Sequence, residues 1–339
     1  MKAMLLRKIG PVRENVAALE YADVAVPVPQ REEILIEVSA CGVCHTELDE
    51  IEGRTPPPSL PVIPGHEVVG RVVQAGEGAG KHALGARVGV GWIFHSTGDV
   101  NENLSPDFVA TGRDVNGGYA QYMKVHQDYA YPIPAAFDDT QAAPLLCAGG
   151  VGFRSLRLAG LHNGQALGLT GFGGSGHLVL QLARHQYPDS PVFVFARSAE
   201  EQRFARQLGA DWSGDTEAEP PSLCQAVIDT TPAWRPVLAA LRMLEPGGRL
   251  VINAIRKEDR DKALMSTIDY GDHLWREKEI KSVANVTADD IREFLALAAQ
   301  AGIEPEVETY ALQEANRALW ELKERHVRGA KVLLMDHPG

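Results

Sequence analysis

At 339 residues the chain exceeds what one ordinary hydrophobic core organises, so two domains are expected. Apolar residues make up 45% and charged residues 23%, the balance of an ordinary soluble globular protein. The formal net charge of -12 argues against nucleic acid as a partner, yet it leaves room for one phosphorylated cofactor held by backbone amides and one or two cations.

No apolar run approaches the roughly 20 residues of a membrane helix, and MKAMLLRKIGPVREN lacks an apolar signal core, so the expectation is a cytoplasmic protein without a membrane partner. The first third reads as short strands broken by Gly and Pro, among them 34–38, 68–73 and 87–90. The texture changes near Gly150. From there, strand patterns at 166–170, 192–196, 226–229 and 249–254 alternate with helical patterns at 176–185, 199–208 and 236–244. Such alternation signals a parallel, doubly wound sheet. The tail returns to mixed structure, with helices near 289–300 and 312–326 and a last strand at 331–335.

Gly171-Phe172-Gly173-Gly174-Ser175-Gly176 follows a predicted strand and opens a predicted helix, the context that gives G-x-G-x-x-G its meaning. The first glycine permits the turn, the second lets backbone approach a pyrophosphate, and the third lets helix pack on strand. The end of the second strand reads Phe195-Ala196-Arg197-Ser198, with no carboxylate before Glu200 to receive a ribose 2′-hydroxyl. A 2′-phosphate meets no repulsion there; Arg197 can pair with it and Ser198 can add a hydrogen bond. A solvated surface cation is the other reading of Arg197. NADP(H) is expected over NAD(H).

The four cysteines, Cys41, Cys44, Cys147 and Cys224, are too few for a disulfide framework at this length. Cys44, His66 and Cys147 offer a Cys₂His set, a known arrangement for catalytic zinc with one open position. The Cys41-x-x-Cys44 spacing also suits a redox dithiol, although no thioredoxin-like unit follows it. Cys224, just before a predicted strand, reads as a structural thiol. His177 suits helix packing as well as cofactor contact, and Phe94 and His95 are candidates to line a substrate cleft.

The neighbourhoods are more specific. Cys41-Gly42-Val43-Cys44-His45-Thr46-Glu47, Gly65-His66-Glu67 and Pro144-Leu145-Leu146-Cys147-Ala148-Gly149, with the glycine loop, Gly117-Gly118-Tyr119 and the segment 280–285, resemble the zinc alcohol dehydrogenases of the medium-chain dehydrogenase/reductase superfamily. The resemblance runs the length of the chain. It implies an α/β protein with a GroES-like β-rich catalytic domain at 1–150 and 283–339 and a Rossmann dinucleotide-binding domain at 151–282. It makes Cys44, His66 and Cys147 the ligands of one catalytic zinc. Glu67 matches a carboxylate that approaches the metal during ligand exchange, and Glu47 the acid that orients the histidine ligand. His45 and Lys331 match contacts of the cofactor pyrophosphate, and Trp92 an aromatic wall of the substrate pocket. Thr46 is expected to take the alcohol proton. A homodimer or homotetramer, paired through an edge of the Rossmann sheet, is implied as well.

Three departures stand out. The region 92–117 contains no cysteine where relatives often carry a structural-zinc lobe, so one zinc per chain is expected, with Ser105 and its neighbours holding the lobe by hydrogen bonds and packing. Asp49 stands where an outer relay histidine is frequent. The run Gly149-Gly150-Val151-Gly152-Phe153 lacks a threonine that often meets the nicotinamide end. The expected function is hydride transfer between a small primary or secondary alcohol, or its aldehyde, and NADP(H). The alternative is reduction of a conjugated C=C or iminium bond with zinc mainly structural. A nucleotide-sensing or structural protein, and a metal-free quinone reductase, fit the ligand triad poorly.

Overall fold

In the computed structural model, which describes residues 1–324 and 328–337, the chain divides into two units. The first comprises Met1–Ala148, Thr287–Ala299 and Glu304–Gly339; the second comprises Gly149–Val286 and Gln300–Ile303.

The first unit opens with β1 (Lys2–Leu5), β2 (Glu20–Asp23), β3 (Glu33–Val43), α1 (His45–Ile51), β4 (Val68–Ala75), β5 (Arg87–Val90), β6 (Ile93–His95), β7 (Val109–Ala110), β8 (Tyr122–His126), β9 (Ala130–Pro132) and α2 (Asp139–Ala142). The chain continues through α3 (Ala148–Ala159), β10 (Leu167–Thr170), α4 (Gly174–Gln186), β11 (Val192–Phe195), α5 (Ala199–Gln207), β12 (Trp212–Gly214), β13 (Cys224–Asp229), α6 (Arg235–Arg242), β14 (Leu244–Ile252) and β15 (Glu279–Ser282). It ends with α7 (Ala288–Ala301), β16 (Val307–Ala311), α8 (Ala315–Lys323) and β17 (Ala330–Leu334).

In the first unit β3 is the organising strand. Its Glu33–Glu37 half pairs with β8, its Ala40–Val43 half with β17, and its other side with β4, all antiparallel. The sheet order is β16-β17-β3-β4-β5-β9. Ile34, Ile36, Val38 and Ala40, alternate residues of one face, are fully buried, whereas Glu37 and Ser39 between them are half-buried, so mostly β-branched residues turn one face of the strand to the core. Two register shifts against β4 bend β3 before it delivers Cys44 to the start of α1.

The second unit is a six-stranded parallel sheet in the order β12-β11-β10-β13-β14-β15. Numbered within the unit, that order is 3-2-1-4-5-6, the doubly wound dinucleotide arrangement. Every residue of β10 and β11 is buried, as parallel strands require. Among the described residues the outer strand β15 pairs with β14 alone, and all four of its residues are exposed. No helix among the described residues is long and apolar enough to cross a membrane.

Most expected elements lie within two residues of their observed bounds; the strand expected over 34–38 runs on to Val43, where it pairs with β17, and the remaining differences have local causes. The helix expected over 236–244 ends at Arg242, because Leu244 already pairs with Cys224. Glu245 to Gly248 then form an irregularity within β14 rather than the loop that Pro246-Gly247-Gly248 suggests. The pattern at 312–326 resolves into one 3₁₀ turn at Leu312–Glu314 and α8; its expected end at His326 lies outside the described residues. Helix α3 gave no signal because Gly149, Gly150 and Gly152 crowd its first turns. Gly152 earns its place by packing: a Cβ there would stand 2.6 Å from Val179 of α4.

The cysteine-free lobe is held by Glu102 rather than by Ser105. Among the described residues Ser105 Oγ has a single partner, the local Asp107 N, from which it accepts. The Glu102 carboxylate, 2% exposed, accepts from Gly98 N at 3.1 Å, Tyr129 Oη at 2.9 Å and Ala288 N at 2.6 Å. It thereby ties the lobe to the first residue of α7, where a negative charge is favoured by the helix dipole. Its backbone carbonyl also accepts from Ser96 Oγ. Glu102→Ala would leave buried donors unpaired and is expected to cost about 3 kcal/mol. The urea midpoint should fall accordingly; a loss below about 1 kcal/mol would show that packing alone holds the lobe.

Candidate functional site

Cys44 ends the extended run of β3 and caps α1 with extended backbone geometry, φ -116° and ψ 164°. Helix α1 then places Thr46 and Glu47 within one turn of the cysteine. Glu47 Oε2 accepts from Cys44 N at 2.8 Å, and Glu47 Oε1 pairs with His66 Nδ1 at 2.5 Å. The Glu47 carboxylate thus sits against the Nδ1 edge of the imidazole and braces the ring beside the other donors. His66 Nε2 is buried and has no hydrogen-bond partner among the described residues. Cys44, His66, Glu67 and Cys147 each offer a ligand atom, and these atoms all lie within 4.8 Å of one another. Three stretches of sequence far apart converge there.

Charge explains what such a cluster can do. A side-chain hydrogen bond from Cys147, with help from His66, holds the Cys44 thiol well below its ordinary value, while the same contact and burial push Cys147 well up. Burial pushes Glu67 well above the usual carboxylate range, and the Cys44 charge adds to it. Burial opposes charge on His66, but Glu47 and Cys44 outweigh it and hold the imidazole well above its usual value. Acids crowded in a dry site are relieved by a cation. Two sulfurs, one imidazole nitrogen and a nearby carboxylate form a donor set that fits zinc.

Cys41 is no part of this set. Its sulfur packs against Gly65 and Gly118, and burial pushes its thiol well up. Gly42 is required for steric reasons: a Cβ would lie 1.7 Å from Glu67 Oε2.

Other expected residues are scattered more widely. Thr46 is 6% exposed, with its Oγ1 3.6 Å from Cys44 Sγ. His45 is exposed at the first position of α1. Asp49 is buried and forms an ion pair with Arg54, so its carboxylate is already engaged. Trp92 lies 6.1 Å from His66 between ring centroids, with Phe108 at 5.5 Å and the Arg113 guanidinium 5.6 Å over its ring. Phe94 follows Trp92 by two residues on β6, but His95 belongs to another cluster, with His126 and Tyr129.

Lys331 requires a correction. The expectation was a pyrophosphate contact, yet the residue is 1% exposed, and Glu308, Tyr310 and Glu321 take all three of its N–H donors. Carboxylates from β16 and α8 converge on it, which the sequence around β17 does not announce.

In the second unit the glycine motif spans the end of β10 and the first turn of α4. Gly171 has φ +81°, and Gly176 packs so closely that a Cβ would sit 2.7 Å from Gly171 O. Arg197, just past β11, is exposed and makes no ion pair among the described residues. Ser198 is the cap of α5: its Oγ accepts from Glu201 N at 3.1 Å. Val151 lies in α3, and its carbonyl accepts from Ser155 Oγ. His177 Nδ1 meets Gly173 O at 3.0 Å, and burial pushes the Cys224 thiol up to about 12.

Residues that sequence reasoning missed include Glu50, Phe108 and Arg113. Glu50 is 1% exposed, burial pushes it well above the usual carboxylate range, and neither oxygen has a partner among the described residues. The only signal was its place three residues after Glu47 on a short helix.

Residues 30–135 match the alcohol dehydrogenase GroES-like domain. Over 99% of its length the chain is 39% identical to a probable alcohol dehydrogenase, AdhA, of Mycobacterium tuberculosis, covering 97% of that protein. This chain belongs to the zinc-type medium-chain alcohol dehydrogenases. It is also 32% identical to an alcohol dehydrogenase of Geobacillus stearothermophilus, with 96% of this chain and 98% of that one covered. The fold matches the crystal structure of an NAD-dependent alcohol dehydrogenase with a TM-score of 0.87 at 22% identity, covering 99% of this chain and all of the other. The family activity is oxidoreduction of small-molecule alcohols, which disfavours the conjugated-bond and iminium alternative.

The steric fit of Glu67 against Gly42 gives a direct test. Gly42→Ala is expected to cost about 1–3 kcal/mol through overpacking, read as a lower thermal midpoint. An unchanged midpoint would mean that the Glu67 side chain moves aside freely.

Proposed function

We propose that the protein is a zinc-dependent alcohol dehydrogenase or aldehyde reductase that uses NADP(H) in preference to NAD(H). The convergence of Cys44, His66 and Cys147 within ligand distance carries this reading. Cys44, His66 and Cys147 would hold the ion, with Glu67 beside it and Glu47 fixing His66. A zinc ion supplies Lewis acidity, easing loss of the alcohol proton in one direction and polarising the carbonyl in the other.

The chain's own residues do the rest. Thr46, beside Cys44 Sγ and nearly buried, is the group to receive the alcohol proton, and exposed His45 is the next residue outward. With Asp49 committed to Arg54, the relay runs through Thr46 and His45. Trp92 and Phe108 form an aromatic wall that keeps water off the reacting carbon and favours apolar or aromatic alcohols.

The dinucleotide supplies or accepts the hydride. Gly171, Gly173, Gly174, Ser175 and Gly176 would receive its pyrophosphate at the start of α4. Arg197, exposed and unpaired among the described residues, would pair with a 2′-phosphate, with Ser198 alongside. We assign residues 1–150 and 283–339 to catalysis and 151–282 to the cofactor. The exposed, unpaired edge of β15 supports a homodimer, which can pair further into a tetramer. Four free cysteines suit a reducing cytoplasm.

The purified protein should contain about one zinc per chain by mass spectrometry, with chelator-sensitive oxidation of NADPH by benzaldehyde. Zinc-free protein with undiminished turnover would sink the metal assignment. Arg197→Ala should lower kcat/KM for NADPH by roughly tenfold or more and leave the NADH value within about twofold. An equal drop for both would sink the 2′-phosphate role.

A further inference from the structure

The sheet order divides the second unit into two mononucleotide halves, β12-β11-β10 and β13-β14-β15. Arg197 follows β11, so the adenosine half of a dinucleotide belongs over the first set. The nicotinamide half belongs over the carboxyl ends of the second.

At that end, Asp229 closes β13 and is fully buried. Its Oδ1 accepts from Thr170 Oγ1 at 2.6 Å, from Thr231 Oγ1 at 2.8 Å and from Thr231 N at 3.2 Å. Its Oδ2 forms an ion pair with Lys257 Nζ, on a side chain 7% exposed. Lys257 Nζ also donates to Thr231 O at 2.7 Å and Ala233 O at 3.1 Å, so all its N–H groups are used. Thr170 immediately precedes the glycine loop, Thr231 and Ala233 lie in the loop after β13, and Lys257 lies in the loop after β14. One buried pair therefore fastens three successive loops. The glycine loop is also in steric contact with the second of them: a Cβ on Gly171 would lie 2.7 Å from Thr230 Oγ1 and 2.9 Å from Thr231 Cγ2.

We propose that the buried Asp229–Lys257 pair is the positioning element for the dinucleotide, locking the three loops at the carboxyl end of the sheet into one arrangement. The proposal rests on the reading of this unit as a dinucleotide site. A buried ion pair adds little stability over an apolar pair of the same volume, but it selects one arrangement of the groups that satisfy it. Here those groups are the hydroxyls and carbonyls of the loops that would meet the cofactor. Loop positions shift when the pair is lost, and displacements of about 1 Å are enough to cost large factors in binding and rate.

The test compares wild type, Lys257→Met, Lys257→Arg and the double variant D229N/K257M, which keeps volume while removing both charges. NADPH binding is followed by its fluorescence, with KM measured separately for cofactor and alcohol. Lys257→Met is expected to raise the NADPH Kd and cofactor KM roughly tenfold or more. KM for the alcohol and zinc content should stay within about twofold, and Lys257→Arg should recover most of the binding. If Lys257→Met does not fold, the double variant is expected to fold and show the same split. NADPH affinity within about twofold of wild type in either folded variant overturns the proposal, as does an equal rise in both KM values. Wild-type protein that binds neither NADPH nor NADH would instead overturn the dinucleotide reading itself.

Discussion

The carboxylate of Glu47 holds the metal-ligand set together. One oxygen receives the backbone N–H of Cys44 and the other lies against His66 Nδ1, so a single buried side chain holds two members of the donor cluster against each other. The arrangement depends on α1 starting directly at Cys44, because only a helical turn brings residue 47 back over residue 44. It also depends on Gly42, since any side chain there would occupy the space of Glu67. The acids are buried at an electrostatic cost that their own proximity raises, and a dication offsets it. Structure and chemistry are thus coupled: the features that make the cluster costly to bury are those that would favour a cation there.

The lobe over 92–117 shows how the fold manages without cysteines there. There the buried Glu102 carboxylate satisfies three donors from three segments. One of them is the first N–H of α7, so the lobe is fastened to a segment that returns to the unit near the end of the chain. Asp229 acts in the same way in the second unit. In both places a buried acid organises loops whose own sequences specify no regular structure, and in both its charge is met by donors drawn from elsewhere in the chain.

Much was legible in the sequence because it depended on short-range rules. The glycine loop announced itself through a strand, a turn that needs φ > 0 at Gly171, and a helix. The alternation of strand and helix gave the parallel sheet. Cys44, His66 and Cys147 were identifiable from their motifs, and the structure brings their ligand atoms together. Where reading failed, the cause was a partner that the local pattern does not announce. Nothing near β17 hints that Lys331 spends its ammonium on Glu308, Tyr310 and Glu321. Nothing near Asp49 shows whether it faces outward or pairs with Arg54, and Pro246-Gly247-Gly248 reads as a loop until Leu244 is seen paired with Cys224.

By itself the sequence determined the sheet class, the glycine-loop motif and which Cys and His side chains to look for as a donor cluster, because periodicity, backbone permissiveness and side-chain chemistry reside in the residues themselves. Only the tertiary structure decided which acids are buried, which cations are already spoken for, and which loops are fastened together. Those outcomes turn on desolvation and on partners tens or hundreds of residues away: Ala288 for Glu102, Lys257 for Asp229. A carboxylate looks the same in sequence whether water or a buried donor surrounds it, and that surrounding sets what it does.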